Sequence, residues 1–300
     1  MARGRAELKA YLEERRQVVE RALDGFLPAD EAGGPILKAM RYSLFAGGKR
    51  LRPILCLAGA EAVGGEPARV MFCACALEMI HTYSLIHDDL PAMDDDDFRR
   101  GVPTNHKVFG EGLAVLAGDG LLTEAMVLLT DPAQVEGLEP WRVLAASRAV
   151  MRAAGWEGMV GGQAADLLAE RQEPDLSTVQ LIHAKKTGAL ITASVQAGGL
   201  LAGGDEDQVR ALTRYGRRVG LAFQIADDLL NLAGDAALLG KATGSDEARG
   251  KMTYPAAVGA AQARETGELM VAQAAELAEG LGEGAWPLAA LARYIMERTY

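Results

Sequence analysis

The sequence predicts an all-α protein, a single domain of about ten or more helices spanning residues 1–300. Ala, Leu and Gly are abundant, while aromatic residues make up only 5% of the chain, which favours helices over strands. Apolar residues recur at helical spacing along most of the sequence. We find no convincing alternating strand pattern, no internal repeat and no long linker, and the 49% hydrophobic content allows a sizeable core.

The helices can be assigned in order along the chain. Residues 5–27 predict an amphipathic helix because Leu8, Leu12 and Leu23 fall roughly on one face, and the stretch PADEAGGP breaks it. A long helical pattern ends at Pro91, and a loop is expected at 99–112. The expected helices are 5–27, 36–45, one starting near Pro53, 68–90, 113–130, 140–153, 176–202, 206–232, 252–280 and 286–298.

Charge and cysteine content exclude several classes of protein. The net charge of −10 argues against a nucleic-acid-binding protein, which usually has a basic surface, but it allows a local basic pocket for a small anion. Cys73 and Cys75 are too close for an ordinary disulfide, so we expect these residues and Cys56 to be reduced thiols of a cytoplasmic protein. The charged N-terminus and the lack of an uninterrupted apolar run of ~20 residues predict a soluble chain without a membrane span.

Two clusters of acidic residues carry the strongest chemical signal. In HDDLPAMDDDDFRR, residues 87–100, Asp88, Asp89 and Asp94 lie where a helix ends, a position where carboxylates oppose the helix dipole and need a cation. In FQIADDLLNLAGD, residues 223–235, Asp227 and Asp228 emerge from apolar surroundings, which a solvated face does not explain. Carboxylate oxygens combined with substrate phosphates suit magnesium.

Basic residues near these clusters indicate a bound diphosphate. They are Lys49, Arg50, Arg52, Arg99, Arg100, Lys185, Lys186, Lys241 and Lys251, and Arg and Lys are the usual ligands of phosphate groups.

Two other segments superficially resemble known binding motifs but do not match them. GDAALLGKAT at 234–243 lacks the spacing and the Ser or Thr of a P-loop, and DDDDFRRG lacks the glycine and terminal Glu of a calcium-binding loop.

Four segments resemble the trans-isoprenyl diphosphate synthase (polyprenyl synthetase) family. They are GGKRLRP, IHTYSLIHDDLPAMDDDDFRRG, KTGAL and FQIADDLLNLAGDAALLGKATGSD. The resemblance covers about residues 36–260, and the version seen here is most similar to the bacterial farnesyl diphosphate synthases. The resemblance implies the isoprenoid synthase fold, helices around a central cavity, and usually a homodimer. It also implies a magnesium-dependent prenyltransferase that condenses isopentenyl diphosphate with dimethylallyl or geranyl diphosphate to give farnesyl diphosphate.

The resemblance further implies a role for individual residues. Asp88 and Asp94 hold two magnesium ions and Asp227 a third, whereas Asp89 and Asp228 are weaker candidates that shape the site. The residues implied for isopentenyl diphosphate are Lys49, Arg52, His81 and Arg100. Those implied for the allylic diphosphate are Arg99, Lys186 and Lys241. Thr187 and Gln224 are implied beside the allylic carbon, where their oxygen dipoles would stabilise developing positive charge. Together with Lys186 they are the expected catalytic residues.

Two features of this chain bear on activity and product length. Asn231 stands where the family's second motif usually has a third aspartate, so the site carries less charge, and Asp235 is a candidate to compensate. The growing tail is expected to run back from Asp88 along its own helix at ~1.5 Å per residue, which makes Tyr83 and Ser84 its floor. In the family, a bulky residue there with the two-residue-longer first motif seen here goes with a fifteen-carbon product.

Three alternatives remain open. A twenty-carbon geranylgeranyl product is the main competitor. A class I terpene cyclase would have no reason to keep the residues implied for a second diphosphate. A non-catalytic partner subunit would be expected to lose the first aspartate motif, which this chain retains.

Overall fold

Helices make up most of the structure, a computed structural model that describes residues 4–29, 31–170, 172–233 and 251–297. The α-helices are α1 (Arg5–Phe26), α2 (Gly34–Leu44), α3 (Leu51–Ala62), α4 (Met71–Asp88), α5 (Asn105–Phe109), α6 (Glu111–Thr130), α7 (Pro132–Val135), α8 (Pro140–Ala154), α9 (Met159–Ala169), α10 (Leu176–Ile182), α11 (Ala189–Leu201), α12 (Glu206–Ala233), α13 (Tyr254–Val258), α14 (Ala260–Glu279) and α15 (Trp286–Glu297). Short 3₁₀ turns lie at Glu31–Gly33, Pro67–Val70 and Glu283–Ala285, and a π-helical turn lies at His183–Gly188. The all-α prediction is confirmed.

The core consists of two apolar clusters that share their central helices. One cluster contains Leu77 and Ile80 of α4 together with side chains of α2, α6 and α8. The other contains Tyr215 of α12 together with side chains of α14 and α15. α3 and α11 contribute to both, because α3 is buried on all sides from Pro53 to Ala60. These two helices therefore form the rigid centre against which α4 and α12, the helices that carry the aspartate clusters, are packed.

The structure departs from the predicted elements in four places. A hairpin of β1 (Phe98–Arg99) and β2 (Val102–Pro103), followed by α5, occupies part of the expected loop. The π-helical turn interrupts the helix expected over 176–202, and Gly259, with a φ of 86°, separates α13 from α14 within 252–280. α9 was not predicted, because its two consecutive glycines lower intrinsic helix propensity.

Two helical stretches of the described chain are long and apolar enough to cross a membrane, judged by length and composition alone. They are Pro67–Asp88 and Glu111–Thr130. In the first, 72% of the apolar window is buried inside the protein, as in a core helix. In the second only 39% is buried, so α6 keeps an exposed apolar face.

Candidate active site

The first aspartate cluster forms where α4 ends. α4 stops at Asp88, and the following loop folds back so that the Asp94 backbone N–H donates to the Asp88 carbonyl oxygen at 2.8 Å. Burial raises the pKa of Asp88 above its usual value, and the Asp94 carboxylate raises it further, against the opposing effect of Lys186, Arg99 and Lys251. The loop thus brings two carboxylates together in an enclosed position that requires a cation.

Two lysines and a third carboxylate lie beside this cluster. Lys186 Nζ is 2.6 Å from Asp166 Oδ2. Lys251 Nζ is 3.1 Å from Asp94 Oδ1 and 3.8 Å from Asp166 Oδ2. Burial by itself would lower the pKa of Lys186, but the Asp166 and Asp88 carboxylates outweigh it, and the pKa is raised. Lys186 is therefore held as a cation next to Asp88.

The π-helical turn His183–Gly188 positions Lys186. Single π turns inside α-helices are rare and occur frequently at functional sites. Two glycines allow close packing here: a Cβ on Gly162 of α9 would overlap the Lys186 backbone, and a Cβ on Gly220 of α12 would lie 2.7 Å from the Gly188 Cα. The turn is held between α9 and α12, which fixes the direction of its side chains.

A chain of hydrogen bonds joins this turn to α12. Thr187 Oγ1 donates to Gln224 Oε1 at 2.9 Å, and Gln224 Nε2 donates to Asp228 Oδ1 at 3.2 Å. The backbone N–H of Tyr254 donates to the other carboxylate oxygen of Asp228 at 2.8 Å. Asp228 is buried and orients Gln224, which agrees with a shaping role for this aspartate.

The second aspartate cluster lies on α12, close to Arg52 of α3. Asp227 is near enough to Arg52 to raise the pKa of that guanidinium, and Asn231 is buried one turn further on. Lys241 and Asp235 lie outside the described residues. Their predicted roles have no structural counterpart here.

The carboxylates of the candidate site suit magnesium only if water and substrate phosphates supply the remaining ligands. Among the described residues, no group of three or more His, Cys, Asp or Glu side chains is arranged to hold a metal ion. Mg²⁺ usually binds one or two carboxylates and completes its octahedron with water and substrate phosphates. The paired carboxylates of Asp88 and Asp94, already neutralised in part by the Lys251 ammonium, fit that description.

A two-residue turn separates the two arginines that close the acidic run. β1 and β2 pair antiparallel, which leaves Arg100 and Gly101 as the turn, and both have a positive φ, 54° and 81°, as a type I′ turn requires. Arg99 Nε donates to Asp89 Oδ1 at 2.7 Å, while Arg100 Nη1 donates to the Gly47 carbonyl oxygen. Adjacent arginines therefore point to different partners, the arrangement that two separate diphosphate sites would need.

Arg52 and Arg100 form a second group of positive charge, with His81 beside them as a neutral imidazole. Arg52 Nε is enclosed and has no hydrogen-bond partner within the described part of the chain. Burial, reinforced by Arg100, lowers the pKa of Arg52 to about 10 despite the opposing carboxylates of Glu78 and Asp227. Burial also lowers the pKa of His81 well below its usual value, and the neighbouring arginines lower it further. Cations crowded together in this way favour the binding of an anion.

The turn that precedes α3 places its basic residues in different environments. Lys49 is exposed. Arg50 is fully buried, donating from Nη1 to Glu78 at 2.7 Å and from Nε to Glu20 at 2.8 Å. Gly48 has a φ of 128°, and a Cβ there would lie 2.6 Å from Arg100 Cζ. Only glycine combines that backbone conformation with such a close approach, and Arg50 acts as a structural residue.

Tyr83 and Ser84, the predicted floor of the product cavity, lie on α4, and Tyr83 belongs to the apolar core. Tyr83 is 6% exposed, and its ring meets the His87 ring edge to face with 5.7 Å between centroids. Burial, with a smaller contribution from Asp88, raises the pKa of the Tyr83 hydroxyl to about 12. The Ser84 hydroxyl donates to the His81 carbonyl oxygen at 2.8 Å. Tyr83 is thus a fixed, neutral, bulky group near Asp88, and its role as the floor stays a prediction.

Sequence reasoning missed Asp166, the carboxylate that holds Lys186. It lies on α9, which the sequence did not predict, inside GGQAADLLAE. The available signal was an isolated acid in an otherwise apolar stretch. Gln163, one turn earlier, has both amide atoms enclosed without a hydrogen-bond partner among the described residues.

Comparison with protein families places these features in a known context. The polyprenyl synthetase family model matches residues 35–280. A farnesyl diphosphate synthase of Geobacillus stearothermophilus is 50% identical over 258 residues, 86% of this chain and 86% of that protein. A dimethylallyltranstransferase of Fischerella ambigua is 47% identical over 296 residues, 98% of this chain and 84% of that protein. Geranylgeranyl pyrophosphate synthase 11 of Arabidopsis thaliana chloroplasts is 45% identical over 294 residues, 96% of this chain and 82% of that protein.

Solved structures agree with the fold. The crystal structure of an FPP/GFPP synthase from Zymomonas mobilis superposes with a TM-score of 0.86 at 37% identity, covering 99% of this chain and all of that one. A geranyltransferase from Legionella pneumophila superposes with a TM-score of 0.86 at 32% identity, covering 98% of both chains. The helices around the aspartate clusters therefore have the arrangement found in prenyl synthases.

Proposed function

The chain belongs to the polyprenyl synthetase family of prenyltransferases, and we propose that it condenses isopentenyl diphosphate with dimethylallyl or geranyl diphosphate to give farnesyl diphosphate. One observation carries the proposal: the basic residues of the site fall into two groups with different neighbours. Arg52 and Arg100, with neutral His81 beside them, form one group, and Lys186 with Lys251 beside Asp94 forms the other. Two diphosphates require two such groups, and a cyclase with a single diphosphate substrate does not.

In the proposed reaction, the C–O bond of the allylic diphosphate breaks and pyrophosphate leaves. The double bond of isopentenyl diphosphate then forms the new C–C bond, and a proton lost from that substrate restores neutrality at carbon. Lys186 and Arg99 stabilise the departing charge as fixed cations, and Thr187 with Gln224 presents oxygen dipoles to the developing positive charge. Asp88, Asp94 and Asp227 would hold Mg²⁺, which would supply Lewis-acid stabilisation of the leaving group.

We assign the fifteen-carbon product on the position of Tyr83. This side chain is buried five residues before Asp88 on the same helix, which corresponds to about 7.5 Å at 1.5 Å per residue. Its ring is held against His87. A fixed aromatic ring at that distance supports a short product cavity. The competing product is geranylgeranyl diphosphate, which the Arabidopsis relative's name specifies for that protein.

We further propose that the protein is a homodimer formed through α6. Leu116 and Val127, three turns apart on the same face, are 54% and 54% exposed, and Trp141 and Leu144 of α8 are 57% and 71% exposed. Several large apolar side chains exposed on two neighbouring helices are typical of a protein–protein interface. Light scattering on the purified protein tests the assignment, with Leu116→Glu expected to yield monomers and Leu269→Glu, an exposed apolar site on α14, expected to leave the dimer intact.

The remaining assignments concern the domain and the compartment. We propose one domain for residues 1–300, supported by the contribution of α3 and α11 to both apolar clusters. We also propose a cytoplasmic location, supported by three buried cysteines, all of them free thiols. Reducing compartments keep thiols in that state.

A product assay tests the reaction. The purified protein is incubated with magnesium, isopentenyl diphosphate and, in turn, dimethylallyl, geranyl or farnesyl diphosphate, and the products are separated by chain length. The proposal expects farnesyl diphosphate from the first two primers. Cyclised hydrocarbons from geranyl diphosphate alone would identify a terpene cyclase, and the absence of condensation with every primer would contradict the enzyme assignment.

A further inference from the structure

Lys251 lies between two carboxylates of the candidate active site. Its Nζ is 3.1 Å from Asp94 Oδ1 and 3.8 Å from Asp166 Oδ2. The Lys251 and Asp94 side chains are each only 12% exposed. The contact joins parts of the chain 157 residues apart, so tertiary structure alone creates it.

The second lysine at this position already has a partner. Lys186 Nζ is 2.6 Å from Asp166 Oδ2, whereas Lys251 is closer to Asp94 than to Asp166. The ammonium of Lys251 therefore occupies space next to an oxygen that is predicted to bind a divalent ion. Two cations cannot share one carboxylate oxygen at contact distance without strong repulsion.

We infer that Lys251 is a positioning residue that acts as the counter-ion of Asp94 before a divalent ion binds, and that it moves to Asp166 and the allylic diphosphate when the ion enters. This inference rests on the proposed function. The four-carbon stem of lysine allows such a movement, and Asp166 is within 3.8 Å as an alternative partner. The consequence is that the substrate-free protein binds divalent ions weakly, because each ion must first displace a bound cation.

Replacement of Lys251 tests the inference without measuring catalysis. Binding of Mn²⁺ alone to the substrate-free protein is followed by electron paramagnetic resonance for the wild type and for Lys251→Met. Because the variant removes a positive charge 3.1 Å from Asp94 Oδ1, we expect Mn²⁺ to bind it about tenfold more tightly. A lysine that only holds the fold together, or only binds phosphate, would leave that affinity unchanged or lower it, and either result overturns the inference.

The matched control is Lys107→Met. Lys107 is paired with Asp97 of the same acidic loop at 2.6 Å but is 44% exposed. Lys107→Met removes one positive charge, as Lys251→Met does. We expect its effect on Mn²⁺ affinity to be less than about twofold, because solvent screens the Lys107–Asp97 pair. Equal tightening in both variants would attribute the effect to net charge and overturn the inference.

Folding and activity are controlled separately. If Lys251→Met does not fold, Lys251→Gln removes the same charge with a polar side chain, and the same tightening is expected. An active wild type with no tightening in the variants rejects the role of Lys251 alone. A wild type that catalyses no condensation rejects the proposed function, whatever the Mn²⁺ affinities are.

Discussion

The Thr187 hydroxyl donates a hydrogen bond of 2.9 Å to Gln224 Oε1, joining the π-helical turn to α12. Gln224 is fixed in turn by Asp228, which accepts from its amide nitrogen at 3.2 Å. The oxygen atoms predicted to face the allylic carbon are thus oriented before substrate binds. Preorganised dipoles of this kind stabilise charge in a transition state without the cost of reorientation.

Thr187→Val is expected to lower kcat about 10- to 100-fold, because it removes one preorganised oxygen and leaves Gln224 Oε1 without its donor. Steady-state kinetics with geranyl and isopentenyl diphosphates provide the measurement. Thr187→Ser keeps the hydroxyl and should retain most of the activity. If the Ser variant lost as much activity as the Val variant, the hydroxyl alone would not account for the role of Thr187.

Tyr83→Ala is expected to lengthen the main product from fifteen to twenty or more carbons, because it removes the buried ring that lies near Asp88. Reversed-phase separation of the dephosphorylated products measures the change. The variant should also be less stable by about 3 kcal/mol or more, since a buried aromatic side chain is truncated. Tyr83→Phe retains the ring and should retain the product. An unchanged product from Tyr83→Ala would exclude this residue as the floor.

Arg50→Met is expected to destabilise the fold by about 3–5 kcal/mol, because it leaves the buried Glu78 carboxylate without its partner at 2.7 Å. Urea unfolding followed by circular dichroism measures the loss. Arg16→Met breaks the exposed pair with Glu13 and should cost far less, because solvent screens that pair. Similar losses for the two variants would show that the Arg50 pair has no special structural importance.

His183 is expected to make the protein sensitive to mild acid. Burial lowers its pKa to about 4 from the usual 6.5, with Lys186 adding to the shift and Asp166 opposing it. Between these two values the unfolded chain binds a proton that the folded chain excludes, so the free energy of unfolding falls as the pH drops from 6.5 towards 4. The loss from this one group is up to about 3 kcal/mol.

The measurement compares urea unfolding of the wild type and His183→Asn at pH 7.5 and pH 5. At pH 7.5 the His183 imidazole is neutral in both the folded and the unfolded chain. It therefore does not lower the free energy of unfolding at that pH. The wild type should lose more stability than the variant on going to pH 5. Parallel losses would assign the acid sensitivity to other groups.

Much of the site could be predicted because its residues belong to short, local motifs. The break of α4 before the acidic run, the pair of aspartates on α12 and the KTGAL segment are each local in sequence, and helical periodicity located their helices. The resemblance then assigned Asp88, Asp94, Asp227 and Arg100, and those assignments remain predictions of role. α9 could not be found in this way, because its consecutive glycines lower intrinsic helix propensity, and the close approach of Gly162 to the Lys186 backbone is a tertiary contact.

The sequence by itself determined the helical class, the family and the two aspartate clusters, because periodicity and motif spacing are properties of neighbouring residues. Only the tertiary structure decided which charges meet: Lys251 with Asp94, Lys186 with Asp166, and Arg50 with Glu78. Electrostatic interactions depend on distance and burial, and both are set by how helices far apart in the chain pack together. That is why basic residues that look alike in the sequence have different partners in the fold: Arg50 pairs with Glu78, Lys186 with Asp166 and Lys251 with Asp94.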